Sequence, residues 1–202
     1  VVGREFTAAA VSGAVEQTEE EVEGACDALA RQGVFLNPCG RTNWPDGTVS
    51  ARYMFVHDLY RETLYGRIPP RRRARLHAGI GARLETGYGA QARAMAAELA
   101  VHFVEGNDVP RAVLYLRHAA EQALARSAHR EAVELLQQAL HLVECLPESA
   151  ERDGHELAVQ ATFAPALMAI QGWGSPEAQS AYQRAKDLAV QLDNPARHAA
   201  VL

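Results

Sequence analysis

Lysine is nearly absent from this chain, because Lys186 is the only lysine among its 20 basic residues. A Walker A loop requires a lysine followed by serine or threonine at the end of a glycine-rich segment. Lys186 stands instead between Ala185 and Asp187, so the sequence contains no P-loop. We therefore expect no cofactor in this chain, and weak or no nucleotide binding by the chain alone.

Long apolar runs and cysteines are scarce as well. The first scarcity argues against a membrane protein, and the second indicates the compartment. No uninterrupted apolar run approaches the ~20 residues that cross a bilayer as a helix, so we expect no membrane partner. The three cysteines are widely spaced and form no Cys-x-x-Cys pair, a usage typical of a reduced cytoplasmic compartment. Because residue 1 is Val, we expect the chain to begin inside a longer protein.

The N-terminal part, residues 1–88, is predicted to be a winged-helix-like domain with a trailing basic helix. Apolar spacing predicts helices at residues 4–15, 19–32, 58–68 and 71–86. Two short strands, at 34–36 and 48–56, are predicted to form a small hairpin around a Pro-Asp-Gly turn. Thr18 and Glu21 have the spacing of a capping box, and a domain boundary is expected at Gly87-Tyr88-Gly89.

The C-terminal part, residues 89–202, is predicted to be helical throughout, which makes the fold class mainly α. The expected helices span residues 91–106, 109–126, 129–145, 151–171, 175–192 and 195 onward. A small–large–small pattern recurs in them at Ala112, Leu116 and Ala119, at Ala132, Leu136 and Ala139, and at Ala178, Tyr182 and Ala185. The small residues let helices approach closely, and the large residue is expected to fill the groove between them.

This pattern resembles the tetratricopeptide repeat (TPR), a helical hairpin that stacks into a solenoid. The copies lie 20 and 46 residues apart, whereas the TPR period is about 34 residues. We therefore predict an α-solenoid of degenerate TPR-like hairpins, and we expect the array to continue beyond Leu202. An exposed terminal helix of such an array would allow a homodimer.

Charge argues against nucleic acid as a partner, because the net charge of the chain is −5 and phosphates attract cations. In a winged helix, the helix before the hairpin usually enters the major groove. Here that helix carries one arginine, Arg31, against five carboxylates, Glu19, Glu20, Glu21, Glu23 and Asp27. DNA binding by this domain is therefore disfavoured.

The basic run and the scattered histidines do not point to a specific function. The basic run of Arg71, Arg72, Arg73 and Arg75 is able to contact a phosphate or an acidic partner, and a solvated helix face is the simpler alternative. No catalytic constellation and no metal-ligand spacing is recognisable. The histidines other than His57 are expected at scattered surface or half-buried positions, namely His77, His102, His118, His129, His141, His155 and His198.

The most specific signal is Phe55-Val56-His57-Asp58-Leu59, where a period of two gives way to helical spacing. His57 and Asp58 are therefore predicted at a strand-to-helix junction. A helix start presents unpaired amides and the positive end of a dipole, which suits a phosphate. An imidazole at this point is able to donate a hydrogen bond to a phosphate. The alternative is a partly buried histidine that caps the helix.

This junction resembles the Met-His-Asp motif in the winged-helix domain of signal-transduction ATPases with numerous domains, the STAND class. Other short segments occur in the order found in bacterial members of the class. They are Val2-Gly3-Arg4-Glu5-Phe6, Leu29-Ala30-Arg31-Gln32-Gly33 and Ile68-Pro69-Pro70 before the arginine-rich helix. The resemblance covers essentially the whole chain and rests on the order of these segments.

The resemblance implies a regulatory and sensing role without catalysis in this chain. In the family, a nucleotide-binding module with ADP or ATP and Mg²⁺ precedes the winged helix, and the motif histidine contacts the β-phosphate of ADP in a closed state. That role falls on His57, and Asp58 would steady the turn. The solenoid would bind a protein or small-molecule signal. The parent protein would be an ATPase, with a nucleotide cyclase, kinase or LuxR-type DNA-binding domain as effector.

A constitutive TPR-type interaction scaffold, in which His57 is structural, is the alternative function. A transcriptional regulator that binds DNA through this domain is the less favoured one, because of the acidic helix described above.

Overall fold

The protein is described by a computed structural model, which covers residues 2–193. It is mainly helical, as predicted, and carries a three-stranded antiparallel sheet near the N-terminus. The chain divides into two compact units. The N-terminal unit runs to Met95 and includes Val101–Asp108, and the C-terminal unit comprises Ala96–Ala100 and the chain from Val109 onward.

The sheet belongs to the N-terminal unit and has the strand order β1-β3-β2. Its strands are β1 (Glu5–Thr7), β2 (Leu36–Asn43) and β3 (Val49–Phe55). The predicted hairpin is confirmed, because β2 and β3 pair antiparallel around the turn that contains Pro45. Between β1 and β2 lie two helices, α1 (Ala8–Ser12) and α2 (Glu19–Arg31).

The prediction of a helix over residues 4–15 is wrong at its start, because Glu5–Thr7 pair with β3 as a strand. Phe6 lies opposite Tyr53, and its ring centroid is 5.6 Å from that of Phe55. This cross-strand aromatic contact stabilises an extended backbone. Thr7 then begins α1, since its hydroxyl accepts a hydrogen bond from the amide of Ala10.

Strand β2 also differs from its prediction at residues 34–36, because it begins at Leu36 and is 8 residues long. Gly33 adopts a positive φ of 67°, a left-handed conformation that ends α2 and that other residues adopt at a cost. The strand then runs through Pro38, where the pairing register shifts. β2 is an edge strand, and a proline is tolerated there because its missing N–H costs no ladder bond.

Helix α2 packs on the sheet through Val22 and Cys26, which join Leu36 and Tyr53 in one core. The predicted capping box of Thr18 and Glu21 is confirmed at its start. Burial raises the pKa of Cys26 to about 11, so the thiol stays protonated at neutral pH.

Three helices and a short 3-10 segment follow the sheet, namely α3 (Asp58–Gly66), α4 (Pro70–Tyr88), the 3-10 segment (Gly89–Met95) and α5 (Ala96–Glu105). Helix α4 extends past its predicted end at residue 86 and includes Gly87. The ring of Trp44 packs against this glycine, where a Cβ atom would lie 2.3 Å from Trp44 Cε3. The helix predicted at 91–106 is divided, because residues 89–95 form the tighter 3-10 turn.

The C-terminal unit contains α6 (Val109–Ala125), α7 (His129–Glu144), α8 (Ala150–Gln171) and α9 (Pro176–Leu192). The predicted bounds of these helices are correct to within one residue, and the helix predicted from 195 lies outside the described residues. Each helix packs on the next, and α6 also contacts α8. Across residues 2–193, no helix is both long enough and apolar enough to cross a membrane.

Most of the repeat residues are buried in these helices. Seven are at most 3% exposed, namely Ala112, Leu116, Ala119, Ala132, Leu136, Ala139 and Ala178. Ala185 is half-buried, but Tyr182 is 66% exposed, so its predicted role as a groove-filling residue is wrong. Helix α9 buries Ala178, Ala181 and Leu188, and this stripe turns Tyr182 toward solvent.

Candidate functional site

His57 lies at the N-cap position of α3, directly after β3, with an extended backbone at φ −136° and ψ 139°. Its side chain is exposed and, within the part of the chain that the structure describes, bonds to none of the first helix amides. The ring centroid of Tyr60 lies 5.9 Å from that of His57. The alternative of a partly buried histidine that caps α3 therefore does not match the geometry.

Asp58 is the first residue of α3, where a carboxylate interacts favourably with the positive end of the helix dipole. Its side chain is 52% exposed, and its Oδ1 atom lies 3.9 Å from Nε of Arg61. A pair this long and this exposed contributes little to stability. An anion at the start of α3 would meet the charge of Asp58 as well as the helix amides.

Helix α3 presents apolar side chains to solvent beside His57. Leu59 is 69% and Leu64 is 49% exposed. The tyrosines of α3 face the protein instead. The ring of Tyr60 packs edge-on against Phe35 at 5.1 Å, and the ring of Tyr65 packs against His77 at 5.9 Å.

The predicted basic run is divided by its contacts at the start of α4. Arg73 lies over the ring of Tyr65, with its Cζ atom 4.7 Å from the ring centroid, a favourable cation–π distance. Arg71, Arg72 and Arg75 are exposed. Arg72 and Arg75 line a surface groove of about 720 Å³ together with residues 13–17. Two of the four arginines are therefore available to an anion in this groove, whose opposite wall carries Glu16.

A hydrogen-bonded chain of side chains, buried at its two histidines, connects α3, α4 and the second half of α5. His77 is 3% and His102 is 5% exposed, so the prediction of surface or half-buried positions is wrong for both. The Nδ1 atoms of the two rings lie 3.2 Å apart, and Nε2 of His77 lies 3.1 Å from the Tyr65 hydroxyl. That hydroxyl donates to Glu105 Oε2 at 3.4 Å.

Sequence reasoning missed this chain of contacts because the two histidines are 25 residues apart and lie on different helices. One signal was present in the sequence. His77 lies one residue after Leu76 and three before Ile80 on α4, the helix whose apolar stripe was predicted, so its side chain was a candidate for burial. Burial lowers the pKa of both imidazoles to about 4, and both rings are therefore neutral at pH 7.

Among residues 2–193, no group of three or more His, Cys, Asp or Glu side chains is placed to hold a metal ion. Two carboxylates of the acidic helix α2 bond to the sheet. Glu23 accepts a hydrogen bond from the amide of Ala51, and Asp27 accepts one from the hydroxyl of Tyr53.

Comparisons of this chain with protein-family models, with curated proteins and with solved structures gave no match. The resemblance to STAND ATPases therefore rests on the short motifs quoted above and on their order. The site that these motifs single out is the exposed junction of His57 and α3.

Proposed function

We propose that this chain is a non-catalytic regulatory fragment of a STAND-type signalling ATPase. In this proposal, residues 1–88 are a winged helix that docks on an upstream nucleotide-binding module. Residues 89–202 are a TPR-like solenoid that binds a protein or small-molecule signal. The observation that carries the proposal is the free, exposed imidazole of His57 at the start of α3.

The topology of the N-terminal unit supports a winged helix. A pair of helices, α1 and α2, precedes the β2–β3 hairpin. The last strand of the hairpin, β3, pairs with β1 as well as with β2, which gives the order β1-β3-β2. DNA binding by this unit is disfavoured, because α2, the helix before the hairpin, begins with Glu19, Glu20 and Glu21. Phosphate groups would meet carboxylates there instead of cations.

The surroundings of His57 support docking of a neighbouring module. Leu59 and Leu64 expose apolar surface on the helix that His57 begins. Leu59 lies two residues after His57, whereas Leu64 lies about 140° further around the helix, so Leu59 is the exposed apolar contact next to the imidazole. A module seated on Leu59 would bring its bound nucleotide toward the imidazole and the first amides of α3, which are able to donate to a phosphate.

The packing of α6 to α9 supports a solenoid. Small residues, Ala112, Ala132 and Ala178, are buried at the start of α6, α7 and α9. Successive helices pack together, and the contact of α6 with α8 is one that stacked hairpins require. A signal bound by this array would shift a closed–open equilibrium only if it bound the two states with different affinities.

The test uses the longer protein that the proposal requires, with its upstream P-loop module, ADP and Mg²⁺. We expect His57→Ala to weaken ADP binding about tenfold or more, the usual loss for a hydrogen bond to a charged group. Basal ATPase activity should rise, because the closed state is destabilised. His141→Ala is the matched control, since the His141 side chain is 78% exposed on α7.

Unchanged ADP affinity in a folded His57→Ala protein would reject the nucleotide role. The constitutive scaffold would then be the better function, and one observation favours it. Trp173, Tyr182 and Val190 are 84%, 66% and 59% exposed in the C-terminal unit, and they offer apolar surface to a partner or a second copy without any nucleotide. Sedimentation of the chain at several concentrations tests the homodimer.

A further inference from the structure

The C-terminal unit contains a small pocket of about 170 Å³ between α7, α8 and α9. Helix α8 contributes three polar residues, Arg152, Glu156 and Gln160. They are four residues apart, so they lie on one face of the helix, one turn above another. This face includes neither His57 nor any residue of the repeat pattern.

One wall of the pocket is an ion pair between two helices. Arg184 on α9 donates to both carboxylate oxygens of Glu156, from Nε at 2.6 Å and from Nη2 at 2.7 Å. The Glu156 side chain is only 13% exposed. Bidentate pairs of this kind are geometrically specific, so the carboxylate of this wall is already engaged.

Two other polar atoms in the lining lack partners. Nε of Arg152, a donor, and Oε1 of Gln160, an acceptor, are both buried and have no hydrogen-bond partner among residues 2–193. Buried polar atoms in native proteins are nearly always paired, with protein, water or a ligand. An occupant of this pocket therefore has to supply an acceptor to Arg152 and a donor to Gln160.

The charge and apolar lining narrow the occupant further. The positive charges of Arg152 and Arg184 are balanced by the carboxylates of Glu144 and Glu156, so the pocket favours a molecule without net charge. Leu140 and Val143 from α7 add an apolar surface. The volume equals that of about six water molecules at liquid density, which fits a molecule of few heavy atoms.

We propose that this pocket binds a small zwitterion of the α-amino-acid class. Its carboxylate accepts from Nε of Arg152, its ammonium group donates to Oε1 of Gln160, and its aliphatic side chain packs on Leu140 and Val143. The inference rests on the proposed function in one respect, since it names a signal for the solenoid. The binding itself requires no nucleotide and no upstream module.

The first experiment is calorimetric titration of the chain with L-valine. Two analogues each lack one charged group: isobutylamine has no carboxylate, and 3-methylbutanoate has no ammonium group. We expect L-valine to bind with a stoichiometry of one, and each analogue to bind at least tenfold more weakly. Equal binding of L-valine and either analogue would overturn the assignment of a zwitterion.

The second experiment identifies the pocket. Arg152→Met and Gln160→Met remove the two unpaired atoms and keep much of the side-chain volume, and each should weaken L-valine binding at least tenfold. Arg130→Met is the matched control, because Arg130 is exposed on α7, and it should leave the affinity unchanged. Circular dichroism of each variant checks that it is folded.

The proposal is wrong if L-alanine, L-valine and L-leucine all give no heat and no thermal shift at millimolar concentration, since the pocket then holds water only. It is also wrong if folded Arg152→Met and Gln160→Met proteins bind L-valine as the native chain does. Neither outcome touches the ADP test of His57, so failure of this inference and failure of the proposed function are distinguishable.

Discussion

His77 and His102 face each other in the interior of the N-terminal unit, and their Nδ1 atoms are 3.2 Å apart. Such a contact is a hydrogen bond only when one nitrogen is protonated and the other is not. The Tyr65 hydroxyl donates to Glu105, so its oxygen accepts from Nε2–H of His77. His77 then accepts at Nδ1 from His102, and both rings are neutral.

Stability of the N-terminal unit should fall between pH 6.5 and pH 4. The ordinary histidine pKa is 6.5, and burial lowers it to about 4 for both rings. In this window the unfolded chain binds protons that the folded chain does not, so the free energy of unfolding decreases as the pH falls. The loss is on the order of 3 kcal/mol for the first ring to be protonated.

Urea unfolding at pH 7, 6 and 5 measures this effect above the range where most carboxylates titrate. The groups that face the two rings are Tyr65 and Glu105, with Arg73 over the tyrosine ring. His102→Gln should lower stability at pH 7 and flatten the pH dependence. The control is His141→Gln, which alters an exposed ring. The same slope in both variants would contradict the prediction.

Arg83 joins α4 to the hairpin turn, and its loss should destabilise this region. Nη1 donates to Asp46 Oδ2 at 2.9 Å and Nη2 donates to Thr48 Oγ1 at 2.8 Å, with the guanidinium 4.5 Å above the Trp44 ring. We expect Arg83→Met to cost about 1–2 kcal/mol from the contacts with Thr48 and Trp44. Trp44 fluorescence during denaturation measures it.

Arg72→Met is the matched control for Arg83→Met, because Arg72 lies on the same helix and is exposed. Its unfolding midpoint should stay near that of the native protein. Equal midpoints for both variants would mean that the contacts of Arg83 contribute nothing to stability.

The large residues of the repeat pattern should differ sharply in their effect on stability. Leu136 is fully buried, and Leu136→Ala should cost about 2–5 kcal/mol through lost transfer energy and a cavity. Tyr182 is 66% exposed, and Tyr182→Ala should change stability by less than about 0.5 kcal/mol. Denaturant midpoints compare the two, and a large loss in Tyr182→Ala would restore its predicted packing role.

The three thiols should react at different rates with an aromatic disulfide reagent. Cys145 is exposed and Cys39 is half-buried, whereas Cys26 is buried and its pKa is raised to about 11. Thiolate is the reactive form, so the native protein should release close to two equivalents quickly and the third only on unfolding. Mass spectrometry of the labelled peptides identifies the slow position, and rapid labelling of Cys26 would contradict its burial.

Local signals in the sequence predicted most of the helices correctly. The capping box of Thr18 and Glu21 acts over three residues, and the turn at Pro45 and Asp46 over two. The geometry of each motif is set by residues that are neighbours in the sequence, so it can be predicted without the fold. The apolar spacing of α6 and α7 is equally local, and the predicted burial of Leu116 and Leu136 agrees with the structure.

The features that could not be predicted from the sequence depend on contacts between distant segments. β1 forms because Phe6 meets Tyr53 across 47 positions, and helical spacing alone favoured a helix there. Tyr182 has the spacing of Leu136, yet α9 is rotated so that Ala181 takes the buried place. The pocket around Arg152 and Arg184 requires three helices, and no segment of the sequence contains its pattern.

Helix α3 is attached to the N-terminal unit chiefly through two rings, Tyr60 on Phe35 and Tyr65 on His77, while every residue of it is exposed or half-buried. Its amides should therefore exchange with solvent deuterium by local opening, at a free energy well below that of global unfolding. Opening of the helix that begins with His57 thus breaks the contacts of Tyr60 with Phe35 and of Tyr65 with His77. The described core around Tyr53 takes none of its residues from α3 and keeps its own contacts.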